Sequence, residues 1–563
     1  MNSTRLRSWI LAIAALFIAS GFSLWHLNFR TNTLENFTVE AWFLNFANFG
    51  FIFLIVLLIS ARIKLAVSTT IGLYAAIHFA HVVKLYYLED ALTPYDFGLS
   101  TMRTFAATLQ GAGIALIGYA AIFLLTIIFL IFALRRFWKR EPKTHSRLRF
   151  KVFMILLIGW ITKSFIDPQS IHDYFFYQFN IRYGINNELN SRRLGLATDW
   201  VFRLVWMREE NQAPAHYSKA LIASALDSES KNSNSNTRKK ITYDFLGLIL
   251  LETFWDPMDY PELRVSPDPI PFFRSQMKRN HTRTIEVPGF GGGTAKAEFE
   301  SLTGFDSNLI SGFPYASVVH EPVASLASAM KTSGFRTIYI HAYKHWFYDR
   351  KRALPLLGFE EQWYENDIVR ERNQAQCQHD QYLCDHLVYE FAQKKISARA
   401  RTFMAISTYS THGPFDRKRK NLIEFKTAFP MSSRQHRLLS QNLNLLAEAD
   451  QALKNFADFH FRSNRNFLLI IYGDHIPNIT YSEFDLRKKS NRSNQTRHLP
   501  WIYISNQGHF PTSEIKTLKD LSPAIAEEIL TDKPVYFSAL GAKRELLQYD
   551  LLHGKKYALE IKP

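Results

Sequence analysis

The sequence predicts a bundle of five transmembrane helices followed by an extracytoplasmic α/β domain with a central, mostly parallel sheet. Three observations carry this reading. Nearly all the long apolar runs lie within residues 1–166, and basic residues gather in alternate loops of that region. From about Ile241 onward, short apolar runs alternate with amphipathic stretches, the pattern of strands separated by helices.

A bilayer core is crossed by about 20 apolar residues. Five runs answer to this: Trp9–Leu27, Ala41–Ser60, Val67–Tyr87, Ala107–Leu134 and the shorter Val152–Ile166. Arg5 and Arg7 precede the first run, Arg62 and Lys64 separate the second from the third, and a dense basic stretch from Arg135 to Lys151 precedes the fifth. The alternate loops carry Glu35, Glu40, Glu89, Asp90 and Asp96. Positive charge marks the cytoplasmic side. The N-terminus is therefore expected in the cytoplasm of a bacterium, with the protein multi-pass in its plasma membrane and the large C-terminal part outside. A cleaved signal peptide would explain the first run alone, and no small-residue cleavage site follows it.

The formal net charge is +17. Part of it is the cytoplasmic loop; the rest lies in short runs such as Arg417–Lys420 and Arg487–Lys489. These suit a solvated face, or contact with anionic lipid headgroups or an anionic glycan. Nucleic acid is not an expected partner of an external domain. Cys377 and Cys384 are the two cysteines, and outside the cell a local disulfide is a better reading for them than a zinc site. Oligomeric state is not legible.

Residues 167–240 read as an arm, helical at Ile171–Phe179 and Thr198–Arg208, ending in the polar, low-complexity stretch Ser228–Arg238. That composition suits a flexible linker. Beyond it, within 241–563, Tyr243–Leu251, Thr337–His341, Arg401–Thr408, Asn466–Tyr472 and Pro500–Ser505 read as strands. Val323–Ser333, Asp380–Lys394 and Arg434–His460 read as the helices between them. Ligands of such sheets bind where strands end.

The chemically loaded residues fall at those ends. Pro288-Gly-Phe-Gly-Gly-Gly-Thr294 runs into a helical pattern. The glycines permit tight turns, and a helix start presents free N–H groups to an anion. Thr294 is thus placed as a hydroxyl nucleophile facing a phosphate- or sulfate-like group. Glu252 closes one apolar strand and Asp474-His475 closes another. A carboxylate there is costly unless paired or bound to a cation. Glu252, Asp474, His475 and Thr294 together suit one divalent ion, which would lower the pKa of the coordinated hydroxyl. His341 begins an aromatic and cationic run through Tyr348 to Arg350, and His412 follows another strand. Arg350 could grip a phosphate oxygen, and His412 could assist proton transfer.

In this order the motifs resemble the lipoteichoic acid synthase family: a strand-end Glu, Gly-Gly-Gly-Thr-Ala with Glu-Phe-Glu and Leu-Thr-Gly, His with Arg nine residues on, Thr-His-Gly-Pro-Phe, then Tyr-Gly-Asp-His. That family comprises membrane-anchored phosphoglycerol transferases of the sulfatase and alkaline phosphatase superfamily. The likeness spans roughly residues 241–530. It implies Thr294 as a transiently phosphorylated nucleophile, and Glu252, Thr294, Asp474 and His475 as ligands of manganese or magnesium, with zinc the lesser alternative. It also implies His341, Tyr348, Arg350 and His412 as contacts of the transferred group. A membrane phospholipid, phosphatidylglycerol, would be the donor, and an envelope glycan or polymer the acceptor. Tyr343 stands where the family tends to have an acidic residue and Tyr348 where it has tryptophan, so the headgroup pocket differs. Phosphoethanolamine transfer and a phosphodiesterase or sulfatase-like hydrolase are the alternatives, although true sulfatases need Cys or Ser at the Thr294 position.

Overall fold

Strand β1, Phe245–Leu251, is a seven-residue run in which every side chain is buried. Continuous burial of this kind means that both faces of the sheet are covered, as in α/β proteins. The computed structural model describes residues 3–29, 38–88, 91–94, 150–154, 187–210, 217–233, 242–260, 262–289, 292–310, 312–370, 383–397, 400–413, 415, 423–428, 431–477, 497–531 and 534–552. The chain divides into two compact units, Met1–Phe97 with Phe105–Glu210, and Gly98–Thr104 with Asn211–Pro563.

In the second unit, β1 is joined by β2 (Leu263–Ser266), β3 (Thr284–Glu286), β4 (Arg336–His341), β5 (Glu361–Tyr364), β6 (Thr402–Ser407), β7 (Glu424–Thr427), β8 (Phe467–Gly473) and β9 (His498–Ser505). Seven of them form one sheet in the order β3-β9-β8-β1-β6-β4-β5. β8, β1, β6, β4 and β5 run parallel, while β9 is antiparallel to both its neighbours, β8 and β3. β2 and β7 pair separately. The mostly parallel sheet expected from the sequence is present. Register then decides the site: Leu251 lies opposite Gly473, and both Leu250 and His341 lie opposite Ser407. The residues that follow these strands therefore emerge side by side along one edge.

In the first unit, α1 (Ser3–Phe29), α2 (Val39–Ser60) and α3 (Ile63–Leu88) pack around Leu16, Phe49, Phe53 and Leu57. The Phe49 and Tyr74 rings stack at 3.6 Å. Leu11, Ile18, Phe43 and Ile59 point outward, which suits a hydrocarbon surround. Three helices, at Arg7–Asn28, Val39–Ser60 and Ile63–Val82, are long and apolar enough to cross a membrane. The expectation of five is corrected to three among the described residues. Ala107–Leu134 lies outside them, and Val152–Ile166 is described only through Met154.

In the arm, the helix expected at Thr198–Arg208 is present and the linker expectation changes. Thr198–Arg208 falls inside the helix Leu196–Glu210 of the first unit, where Asn48 Nδ2 donates to Thr198 Oγ1 at 3.0 Å and Asn45 Nδ2 to the Leu194 carbonyl at 2.8 Å. Ile171–Phe179 lies outside the described residues. Ser228–Ser233, expected as flexible linker, completes the helix Lys219–Ser233. Its buried Ile222 and Ala225 explain why a polar tail stays helical: the apolar face is set before the serines begin.

Candidate functional site

Thr294 is the first residue of a ten-residue helix, Thr294–Thr303, whose side chains are all buried. Gly292 and Gly293 precede it at φ 152° and 89°, in the region where a side chain is disfavoured. The turn therefore delivers the hydroxyl together with the helix's first N–H groups. Thr294 Oγ1 donates to Glu252 Oε2 at 3.0 Å.

Glu252 is fully buried, and Asp474 and His475 are 1 % and 2 % exposed. The three offer ligand atoms within 4.8 Å of one another. His475 Nε2 lies 3.3 Å from both Glu252 Oε1 and Asp474 Oδ2. The backbone N–H groups of Thr253 and His475 donate to Asp474 Oδ1 at 2.7 and 2.8 Å. Asp474 Oδ2 is buried without a hydrogen-bond partner. An orphaned anionic oxygen beside a second carboxylate and an imidazole fits a divalent cation, so the residues present suit the expected metal.

The electrostatics agree with that fit. Burial, then the Glu252 charge, pushes Asp474 up to about 7. Burial also works against ionised Glu252, but the His475 hydrogen bond and the nearby imidazoles hold it down at about 2. Two buried carboxylates cannot both be ionised cheaply without positive charge between them.

Glycine at 473 is a packing requirement. A Cβ there would stand 2.1 Å from the Phe254 carbonyl oxygen, because the turn after Glu252 crosses directly over β8. Thr253 is held at φ 47° in that turn. Thr408 Oγ1 accepts from the Glu252 N–H at 3.1 Å, and Thr411 Oγ1 donates to the Glu252 carbonyl.

His341 ends β4, fully buried, with Nδ1 3.3 Å from the Ser407 carbonyl and Nε2 lacking a hydrogen-bond partner. Burial, with Arg350 next, holds its pKa well below the usual imidazole value, so it is neutral. His412 is half-buried, stacked on Tyr409 at 4.4 Å, with Nδ1 2.7 Å from the Gly413 carbonyl. Tyr348 and Asp349 sit at φ 58° and 65°, a strained pair immediately before Arg350. Such strain costs on the order of 1–3 kcal/mol per residue and persists where surrounding contacts over-determine it.

Arg350 is fully buried. Its Nε donates to Glu298 Oε2 at 2.9 Å, and its Nη2 has no partner. Glu298 also accepts from the Tyr339 and Tyr315 hydroxyls, the latter at 3.2 Å. Sequence reasoning passed over Glu298 as a functional candidate. The signal was present, since a carboxylate four residues after Thr294 lies on the same helix face one turn on.

A hydroxyl at a helix start, facing two buried carboxylates and an imidazole, marks this edge of the α/β sheet as the candidate site. The chain belongs to the sulfatase family, whose model matches residues 246–527. Its fold is similar to that of the Streptococcus pyogenes phosphoglycerol transferase GacH, solved in complex with sn-glycerol-1-phosphate, at TM-score 0.53 and 20% identity, covering 62% of this chain and 97% of that one. It is also similar to the integral membrane protein lipooligosaccharide phosphoethanolamine transferase A (EptA) of Neisseria meningitidis, at TM-score 0.50 and 12% identity over 98% of each chain. A Rhizobium meliloti protein, provisionally named a cyclic beta-1,2-glucan modification protein, is 26% identical over 488 residues, 81% of this chain and 72% of its own length.

Proposed function

We propose that this protein is a membrane-anchored transferase that moves a phosphoglycerol group from phosphatidylglycerol to a cell-envelope glycan through a phospho-Thr294 intermediate. The observation that carries the reading is the Thr294 hydroxyl, at a buried helix start and 3.0 Å from Glu252 beside Asp474 and His475. A threonine in place of cysteine or serine argues against sulfate-ester hydrolysis. The fold shared with GacH supports phosphoglycerol, and the name of the Rhizobium relative supports a glucan acceptor.

In the first half-reaction Thr294 Oγ1 forms a bond to phosphorus and the bond to the diacylglycerol oxygen breaks. The threonine proton ends on that leaving oxygen. In the second, an acceptor hydroxyl oxygen bonds to phosphorus, the P–Oγ1 bond breaks, and the acceptor proton returns to Thr294. Splitting one displacement into two lowers each barrier. Glu252, Thr294, Asp474 and His475 would hold a divalent cation, manganese or magnesium, which supplies a lowered hydroxyl pKa and charge neutralisation. Arg350 presents a buried N–H group to the phosphoryl oxygens, His341 lines the same pocket with its unprotonated Nε2, Tyr348 shapes the headgroup pocket, and His412 serves the proton transfers. The membrane helices keep this extracytoplasmic site with its lipid donor.

A second reading, phosphoethanolamine transfer, is favoured by one feature. Tyr343 stacks on Tyr409 at 4.3 Å and meets Trp346 edge-on at 6.3 Å, an aromatic group able to take an ammonium. Peptide mass spectrometry on the Thr294 loop decides between them. Full-length protein with manganese is incubated separately with phosphatidylglycerol and with phosphatidylethanolamine. A phosphoglycerol adduct on Thr294 is the expected result. A phosphoethanolamine adduct transfers the protein to the second reading, and adduct formation at another residue overturns the mechanism.

A further inference from the structure

The turn after Glu252 does more than carry a metal-ligating residue. After crossing Gly473, the segment Trp255–Tyr260 reaches the start of β9 and forms one wall of a cavity of about 280 Å³. Thr284 of β3 and His498 and Leu499 of β9 form the opposite wall. Glu286 pairs with His498, and the Val287 N–H donates to the Arg497 carbonyl at 2.8 Å. The chain then passes into the glycine turn before Thr294. Both walls are thus continuous with the candidate catalytic segments, one three residues from Glu252 and the other ten before Thr294. The start of β9 lies beside the end of β8, so the cavity sits at the edge of the sheet that carries the site.

Its lining is unlike the phosphate side of that site. Tyr260 and Leu499 are apolar, with Trp255 edge-on to Tyr260 at 5.3 Å. Asp259, Thr284 and His498 bring a carboxylate, a hydroxyl and an imidazole to the rim, and among the described residues no lysine or arginine lines it. Asp256 is neutralised by Arg274 through contacts of 2.5 and 2.7 Å. Burial, and then the nearby carboxylates, raise the Tyr260 hydroxyl pKa, so that hydroxyl keeps its proton as a donor. Small-molecule pockets run from about 300 Å³ upward; this one takes a single ring. An apolar floor with carboxylate and hydroxyl partners at its rim matches a polyhydroxylated ring, whose C–H face packs on the aromatic and whose hydroxyls donate to the acid.

We propose that this cavity is the acceptor subsite and holds one neutral hexose of the glycan that receives the group from Thr294. The assignment deepens the transferase reading and rests on it for the identity of the second half-reaction. The test uses full-length protein in detergent, with a β-1,2-linked glucose oligosaccharide as probe. Binding is followed by calorimetry, and decay of the Thr294 adduct by mass spectrometry. Asp259→Asn combined with Thr284→Val should weaken oligosaccharide binding at least 10-fold, and the Thr294 adduct should persist when the oligosaccharide is added. His498→Gln, tested alone, should move both readouts the same way. Unaltered binding and adduct decay in the double variant overturn the proposal, as does a wild type that binds ethanolamine in place of the oligosaccharide. Absence of any phosphoglycerol adduct in the wild type, with oligosaccharide binding still lost in the variant, overturns the donor reading and upholds the cavity assignment. A wild type that forms the adduct but binds no oligosaccharide does the reverse.

Discussion

Arg350 and Glu298 form an ion pair at 2.9 Å with side-chain exposures of 0% and 4%. The pair ties the helix that begins at Thr294 to the strained turn holding Tyr348. Removing one member of such a pair strands a charge in a low-dielectric interior, at a cost of about 3–5 kcal/mol, whereas replacing both by apolar groups is often neutral. Glu298→Gln should therefore lower thermal stability markedly, and Glu298→Met with Arg350→Met should recover much of it. Thermal unfolding of the two variants checks this; equal destabilisation would mean that the pair contributes nothing beyond its packing.

Thr294→Ala should abolish transfer and adduct formation while leaving the fold intact. Nucleophiles that act in concert with their neighbours cost on the order of 10⁴–10⁶-fold in rate when removed. The side chain's loss removes its hydrogen bond to Glu252 and no apolar packing beyond one methyl group. Circular dichroism alongside the adduct assay separates the two effects, and a folded, fully active variant would remove Thr294 from the mechanism.

Manganese should raise the unfolding temperature of the wild type, since a ligand at about 100-fold its Kd stabilises by about 2.7 kcal/mol. Asp474→Asn should flatten that response by removing an anionic ligand. Gly473→Ala should weaken it too, because the new Cβ collides with the Phe254 carbonyl and must displace the loop bearing Asp474. Thermal shift titrations of the three proteins provide the comparison.

His460 predicts an acid sensitivity away from the site. It stacks on Phe245 at 4.4 Å, with Phe456 and Phe467 also against it, and burial, followed by Arg465, pushes its pKa down to about 3. With the folded value depressed, stability is full above the unfolded value near 6.5 and is lost as pH falls toward 3. One proton per molecule corresponds to about 2 kcal/mol between pH 6.5 and 5. Glu300 acts in the opposite sense, raised to about 7 by burial and then by Asp306, so the informative quantity is a difference. His460→Leu should lose less stability than the wild type over that interval.

The main strands were legible because each is a continuous apolar run ending in a charged or small residue. Phe245–Leu251 followed by Glu252 is one example, and Phe467–Gly473 followed by Asp474 another. Their adjacency followed from α/β logic, although the register of Leu251 against Gly473 is a tertiary fact. β5 escaped notice because Glu361-Gln-Trp-Tyr364 is mostly half-exposed, and β3 because three residues carry too little pattern. Glu298 was hidden for a different reason. Its partners Tyr315, Tyr339 and Arg350 are up to 52 residues away along the chain, so its spacing from Thr294 marks a shared face but not the buried ion pair. Ser228–Ser233 misled in the opposite direction, its polarity concealing a helix fixed by residues upstream.

The sheet's two outer strands have a consequence of their own. β3 and β5 contain three and four residues, against six to eight in the five strands between them. A long bare margin on β9 or β4 would offer a ladder of unsatisfied backbone groups to any passing extended chain. Here β5 covers Ile338–His341 of β4, β3 covers His498–Pro500 of β9, and past β3 the Tyr503 carbonyl accepts from Asn280 Nδ2, so an incoming strand meets a short and broken margin. The sheet can stand among other proteins without becoming a template for them.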